Sequence, residues 1–295
     1  MIPPRAILAA VNFSDTARVA LVFAARLAQH CGAELHVLYA EHPLLDAAAD
    51  HAGIRLGRNT HDELQRFIVG AWPAAQCSPE SHVIAGAAVD VILDVAHRHH
   101  ADLVVVGRCG MSGAERLVFG STTEGLLRRT DLSVLIAPAE WMPPYPNALD
   151  LSGLGPLVAV VDLSDGPSIA AAKAACKLAS ILGTSLEIVH FVPDLAVLSR
   201  WRAHADACDR VAAARQEIEV LVRGLGCSVA VEMRVESNGG PNRLAEAAGH
   251  ASDRAPIVVL GKKTPGSTGT GPRPIAYRVL SVAAVPVLMH VVDRN

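Results

Sequence analysis

The sequence predicts an α/β protein made of two tandem five-stranded, mainly parallel sheets flanked by helices. Three observations predict it. Short continuous apolar runs such as Leu103-Val104-Val105-Val106 alternate with longer stretches of helical pattern, and strands that lack polar alternation are those buried on both faces, as in parallel sheets with helical crossovers. The pattern is written twice. Val11-Asn12-Phe13-Ser14-Asp15 returns 150 residues later as Val161-Asp162-Leu163-Ser164-Asp165, Leu35-His36-Val37-Leu38 returns 151 later as Leu186-Glu187-Ile188-Val189, and Leu103-Val104-Val105-Val106-Gly107 returns 154 later as Ile257-Val258-Val259-Leu260-Gly261. A length of 295 residues also suits two domains.

In the first half, strands are expected near 5–11, 34–40, 80–85, 102–107 and 132–137, with helices near 15–30, 44–70, 87–99 and 121–130. The second half repeats this, with strands near 156–162, 185–191, 227–235, 256–261 and 285–291 and helices near 166–182, 196–224, 241–252 and 275–282. Between them lies Trp141-Met142-Pro143-Pro144-Tyr145-Pro146, continuing to about Gly155, where proline favours an extended connection over a helix. The domains are therefore expected at 1–140 and 156–295. In such sheets ligands bind beyond the carboxyl ends of the strands, where the strand order reverses. The first and fourth strands would deliver Asn12 and Gly107 to that edge.

The segment from Gly107 to Ser121 is the most informative in the chain. Glycines at 107, 110 and 120 punctuate it, and positive φ at these positions would bring the backbone close to a phosphate with no Cβ in the way. Ser121-Thr122-Thr123-Glu124 has the Ser-x-x-Glu spacing of a capping box. A helix start there would present unpaired N–H groups, which bind anions. Neither the Walker spacing nor the dinucleotide Gly-x-Gly-x-x-Gly occurs in the chain.

The spacing Gly-x2-Gly-x9-Gly-Ser at 107–121 resembles the nucleotide-binding signature of the universal stress protein family at every defined position. The resemblance covers nearly the whole chain as two tandem domains, and implies the universal stress protein fold, related to the adenine nucleotide alpha hydrolase-like folds. It also implies ATP as ligand, with Val11, Asn12, Val37 and Val106 on the base and ribose side and Gly107, Gly110, Gly120, Ser121 and Thr122 at the phosphates. Arg108 and Arg116 are added on charge alone. Asn12 departs from the family's Asp, which only the second half keeps as Asp162. An Asn amide offers both an acceptor and donors to a base edge. In the second half Thr264 replaces the second glycine, and Arg273-Pro274 stand where Gly120-Ser121 do, so that loop is degenerate. Proline has no N–H to offer a phosphate.

A formal charge of −3 gives no basic field for nucleic acid, and no apolar run reaches the ~18 residues of a membrane span. Residues 1–5 lead directly toward the first strand without the pattern of a signal peptide, so a cytoplasmic location is expected. The six cysteines, Cys31, Cys77, Cys109, Cys176, Cys208 and Cys227, show no Cys-x-x-Cys, which gives little support to disulfides or a zinc site. Cys109 beside Arg108 is read as loop packing ahead of an oxidation sensor. His97 and His100 are three apart, yet no third ligand is evident, and basic residues suit a helix C-terminus, so no metal site is expected.

The expected protein is thus a cytoplasmic, ATP-binding stress-response module, with Mg²⁺ or Mn²⁺ accompanying the nucleotide and held mainly by phosphate oxygens and waters. Enzymatic turnover is not required. The alternatives are a slow ATP hydrolase and a nucleotide-free structural protein that binds a partner. The apolar fifth strands, 132–137 and 285–290, should lie at sheet edges that need covering. An intramolecular pseudo-dimer of the two domains is therefore expected, with a homodimer and a regulatory protein partner as further possibilities.

Overall fold

The structure is a computed structural model that describes residues 3–44, 56–71, 79–108, 120–138, 154–163, 166–192, 207–237, 257–263, 279–280, 283 and 285–292. Two compact units divide the chain, one from Pro3–Leu151 and the other from Ser152–Thr264 and Pro272–Asn295.

In the first unit the elements run β1 (Ala6–Val11), α1 (Asp15–Cys31), β2 (Glu34–Glu41), α2 (Leu56–Ala71), β3 (Glu80–Ala85), α3 (Ala88–Arg98), β4 (Leu103–Gly107), α4 (Ser121–Arg129) and β5 (Ser133–Ala137). The strands lie in the order β3-β2-β1-β4-β5, and every pair is parallel. Because β1 sits between β2 and β4, the winding reverses there, and a crevice opens beyond the carboxyl ends of β1 and β4. Val104 and Val105 of β4 are both fully buried, as expected of a strand covered on two faces.

Helix α1 packs closely on this sheet through small residues, with Ala20, Ala24, Ala25 and Ala28 fully buried. Both of its ends are closed. Ser14 Oγ accepts from the Ala17 N–H at 3.2 Å, while Gly32 takes the left-handed conformation (φ 66°) that ends the helix.

The second unit repeats the plan with β6 (Leu157–Val161), α5 (Gly166–Leu182), β7 (Leu186–Val192), α6 (Ala207–Leu225), β8 (Val231–Ser237), β9 (Ile257–Lys262) and β10 (Val287–Val291). Its strands lie in the order β10-β9-β6-β7-β8, again with parallel pairs. Gly183 ends α5 in the left-handed conformation, as Gly32 does α1. The helix expected at 241–252 and most of the one at 275–282 lie outside the described residues.

Two expectations need correction here. Cys176 of α5 is joined to Cys227 in a disulfide, although the cysteine spacing gave disulfides little support. Connectivity between distant cysteines is set by the fold, not by local spacing. The same bond explains why β8 begins at Val231 and not at 227: Gly226 leaves α6 in the left-handed conformation, and Cys227 is held against α5 before the chain can join the sheet. Among the described residues no helix is long and apolar enough to cross a membrane.

Candidate functional site

The end of β1 is shaped by a short polar turn. Asn12 Oδ1 accepts from Ser14 Oγ at 2.6 Å and from the Ser14 N–H at 3.4 Å, while Ser14 Oγ also lies 2.9 Å from Thr16 Oγ1. Between them Phe13 sits at φ 62°, in the left-handed region that costs a residue with a side chain about 1–2 kcal/mol. Ring contacts hold it there: its centroid is 4.5 Å from Tyr39 and 5.5 Å from Phe67, and the Arg18 guanidinium covers the Phe67 ring at 4.8 Å. Burial, then Glu41 and Glu63, push the Tyr39 phenol above its ordinary range, so it stays protonated. The turn sends the chain into α1 and leaves Asn12 exposed at the sheet edge. Neither Phe13's conformation nor its aromatic support was read from the sequence.

The end of β4 meets α1 and α4. A Cβ on Gly107 would lie 2.6 Å from Thr16 Oγ1 and 2.9 Å from the Thr16 backbone carbon, so the glycine is required by the close approach of β4 to the first turn of α1. It is not among the positive-φ residues, and neither is Gly120 (φ −66°, ψ 148°). The expected positive φ is therefore corrected at both positions. Gly261 at the matching place in β9 has the same duty, since its Cβ would lie 2.2 Å from the Pro167 carbonyl oxygen in the first turn of α5.

Helix α4 is tied to that edge from both sides. The Gly120 N–H donates to the Arg108 carbonyl at 3.0 Å, the Arg108 N–H donates to the Ala137 carbonyl at 2.8 Å, and Thr123 Oγ1 donates to the Gly107 carbonyl at 3.0 Å. These bonds make Gly120 the N-cap and Ser121 the first helical residue. The expected capping box is absent, because Ser121 stands one position too late for it. Glu124 instead pairs with Arg128 at 2.6 Å. The first-turn N–H groups of Ser121, Thr122 and Thr123 have no acceptor within the helix, and the positive end of the helix dipole faces the same way.

Between these elements lies a cleft of about 320 Å³, within the usual range of small-molecule sites. Ala10, Val11, Leu38, Ala40, Ala88, Ile92 and Val106 give it apolar walls; Asn12, Gly107, Gly120, Ser121, Thr122 and Thr123 bring polar groups and open backbone. None of these described lining residues is Asp, Glu, His or Cys. Of the residues singled out in the sequence, Val37 does not line the cleft: it is fully buried and faces the other side of the sheet, and its neighbour Leu38 forms the wall. Arg108 is half-buried beside the cleft and reaches it through the backbone bond to Gly120. Gly110, Arg116 and Cys109 lie outside the described residues, as does the counterpart loop around Arg273-Pro274. Leu38, Ala40, Ala88, Ile92, Ala10 and Thr123 line the cleft without being expected there from the sequence. Strand alternation from Leu38 would have found the first two, whereas Ala88 and Ile92 depend on how α3 crosses the sheet.

A parallel sheet with a crevice at its reversal point, closed by a helix start, is shared by many nucleotide-binding proteins and does not by itself name one. Residues 4–138 match the family model described as Universal stress protein family. This half is a universal stress protein domain. The fold likeness runs further than the domain match. A universal stress protein from Archaeoglobus fulgidus is similar at a TM-score of 0.66 and 17% identity over 97% of this chain and 98% of its own. A functionally unknown protein from Pseudomonas aeruginosa is similar at 0.66 and 15% identity over 98% of this chain and 93% of its own. At such identities the shared property is the fold, which extends across both units. No curated protein matches the chain.

Proposed function

We propose that the universal stress protein domain binds ATP in the cleft between β1 and β4 and serves as a stress-response module without required turnover. The observation that carries this reading is the convergence, at one sheet edge, of an apolar slot with the open first turn of α4. Val11, Leu38 and Val106 suit a flat base and ribose, Asn12 offers its amide to the base edge, and the N–H and hydroxyl groups of Ser121 and Thr122 suit phosphate oxygens. The described lining supplies hydroxyls and no carboxylate. This donor set fits Mg²⁺ or Mn²⁺ bound chiefly by phosphate oxygens and waters.

The test is to denature the purified chain and identify any nucleotide released, then to titrate stripped protein with ATP. ATP release, or saturable uptake by the stripped protein, is the expected result. ADP in its place would favour the slow hydrolase, and a stripped protein that takes up no adenine nucleotide would overturn the reading.

A further inference from the structure

A second cluster of ligating groups lies on the same sheet face as the cleft wall but toward the amino-terminal ends of β2 and β3. His36 in β2 is register partner to Glu80 in β3, His82 follows two residues along the same face, and His99 closes the group from the end of α3. One ligand atom from each of the four lies within 4.8 Å of every other. His36 Nδ1 is 3.3 Å from His82 Nε2 and 3.4 Å from Glu80 Oε2. A tetrahedral zinc ion with bonds of about 2.0–2.1 Å sets its ligand atoms roughly 3.3–3.4 Å apart, which is the spacing of these two edges.

We propose that His36, Glu80, His82 and His99 form a binding site for a transition-metal ion, with Zn²⁺ as the best-suited occupant. Three imidazoles and one carboxylate favour zinc over the hard ions Mg²⁺ and Ca²⁺, which prefer oxygen sets. His36 is buried, and among the described residues its Nε2 has no hydrogen-bond partner. That nitrogen lies 3.8 Å from Glu34 Oε2, a carboxylate placed to orient the ring once Nδ1 holds a metal. Burial lowers the proton affinity of both His36 and His82, which favours the neutral imidazole that a metal requires. His99 caps the C-terminus of α3, where the helix dipole attracts a cation. Glu80, with 61% of its side chain exposed, leaves the ion a path from solvent.

In the sequence His97 and His100 stand three apart with no evident third ligand. In the structure α3 stops at Arg98, and His97 turns outward to Asp131 at 3.0 Å, while His99 joins residues from two strands. The expectation of no metal site is therefore replaced by this proposal.

The experiment uses the full, untagged chain, stripped with a chelator and titrated with Zn²⁺ against a chromophoric competitor. One Zn²⁺ per chain is expected, with binding at least about tenfold weaker in each of His82→Ala and His99→Ala and unchanged in His97→Ala. Co²⁺ in place of Zn²⁺ should give the visible absorption of a tetrahedral ion, lost in His82→Ala. Should either variant fail to fold, judged by circular dichroism, Glu80→Gln at the exposed position supplies the same comparison. No stoichiometric uptake by the parent chain, or uptake that the ligand substitutions leave untouched, would overturn the proposal.

Discussion

At Gly107 an added Cβ meets the backbone of Thr16, which cannot move away as a flexible side chain could, whereas Gly120 holds dihedrals open to any residue and lines the cleft. These two of the signature's three glycines should therefore fail differently. Gly107→Ala is expected to destabilise the first unit by about 1–3 kcal/mol through overpacking, read by urea denaturation. Gly120→Val should leave the urea midpoint nearly unchanged and weaken ATP at least about tenfold, because its side chain occupies space that the phosphates need. Normal ATP binding by Gly120→Val would remove this glycine from the site. The sequence spacing made the loop legible as a place of function but could not tell these duties apart. Chain contacts from α1, about 90 residues away in sequence, decide one of them. Ser121 shows the same limit, since a Ser-x-x-Glu pattern shifts by one residue when a neighbouring backbone bond places the N-cap on Gly120.

Strands and helices were largely legible because a buried parallel strand has to be a continuous apolar run, and the duplicated pattern supplied each boundary twice. What local pattern could not show was tethering across elements. The Cys176–Cys227 bond spans 51 residues and shifts the start of β8, and the histidine group draws on β2, β3 and the end of α3. Two expectations belong to this scale. Ser14→Ala removes the hydroxyl that caps α1 and should cost about 1 kcal/mol in chemical denaturation, with the loss confined to the first unit. Cys227→Ser, or reduction, should destabilise the second unit by about 2–4 kcal/mol. An unreduced digest containing the Cys176–Cys227 peptide pair would establish the bond, and its absence from protein kept free of reductant would refute it.

Across the whole chain the two units share a plan but not a loop, so a titration with ATP should saturate at one nucleotide per chain, within the first unit. Two equivalent sites in calorimetry would contradict this. Chelating divalent ions should weaken ATP more than adenosine, since adenosine lacks the phosphates through which the ion would act; equal losses would argue against an ion in the cleft. Gly261 carries a different lesson. It keeps its place although Pro274 has taken the N–H that a phosphate would use, because β9 cannot approach α5 with a side chain there. In a duplicated chain, a copy that loses its ligand becomes free to vary along its loop, while this single position stays pinned by architecture. A glycine shared by both copies therefore testifies to common construction, and the capacity to hold a nucleotide has to be judged from the residues that the copies no longer share.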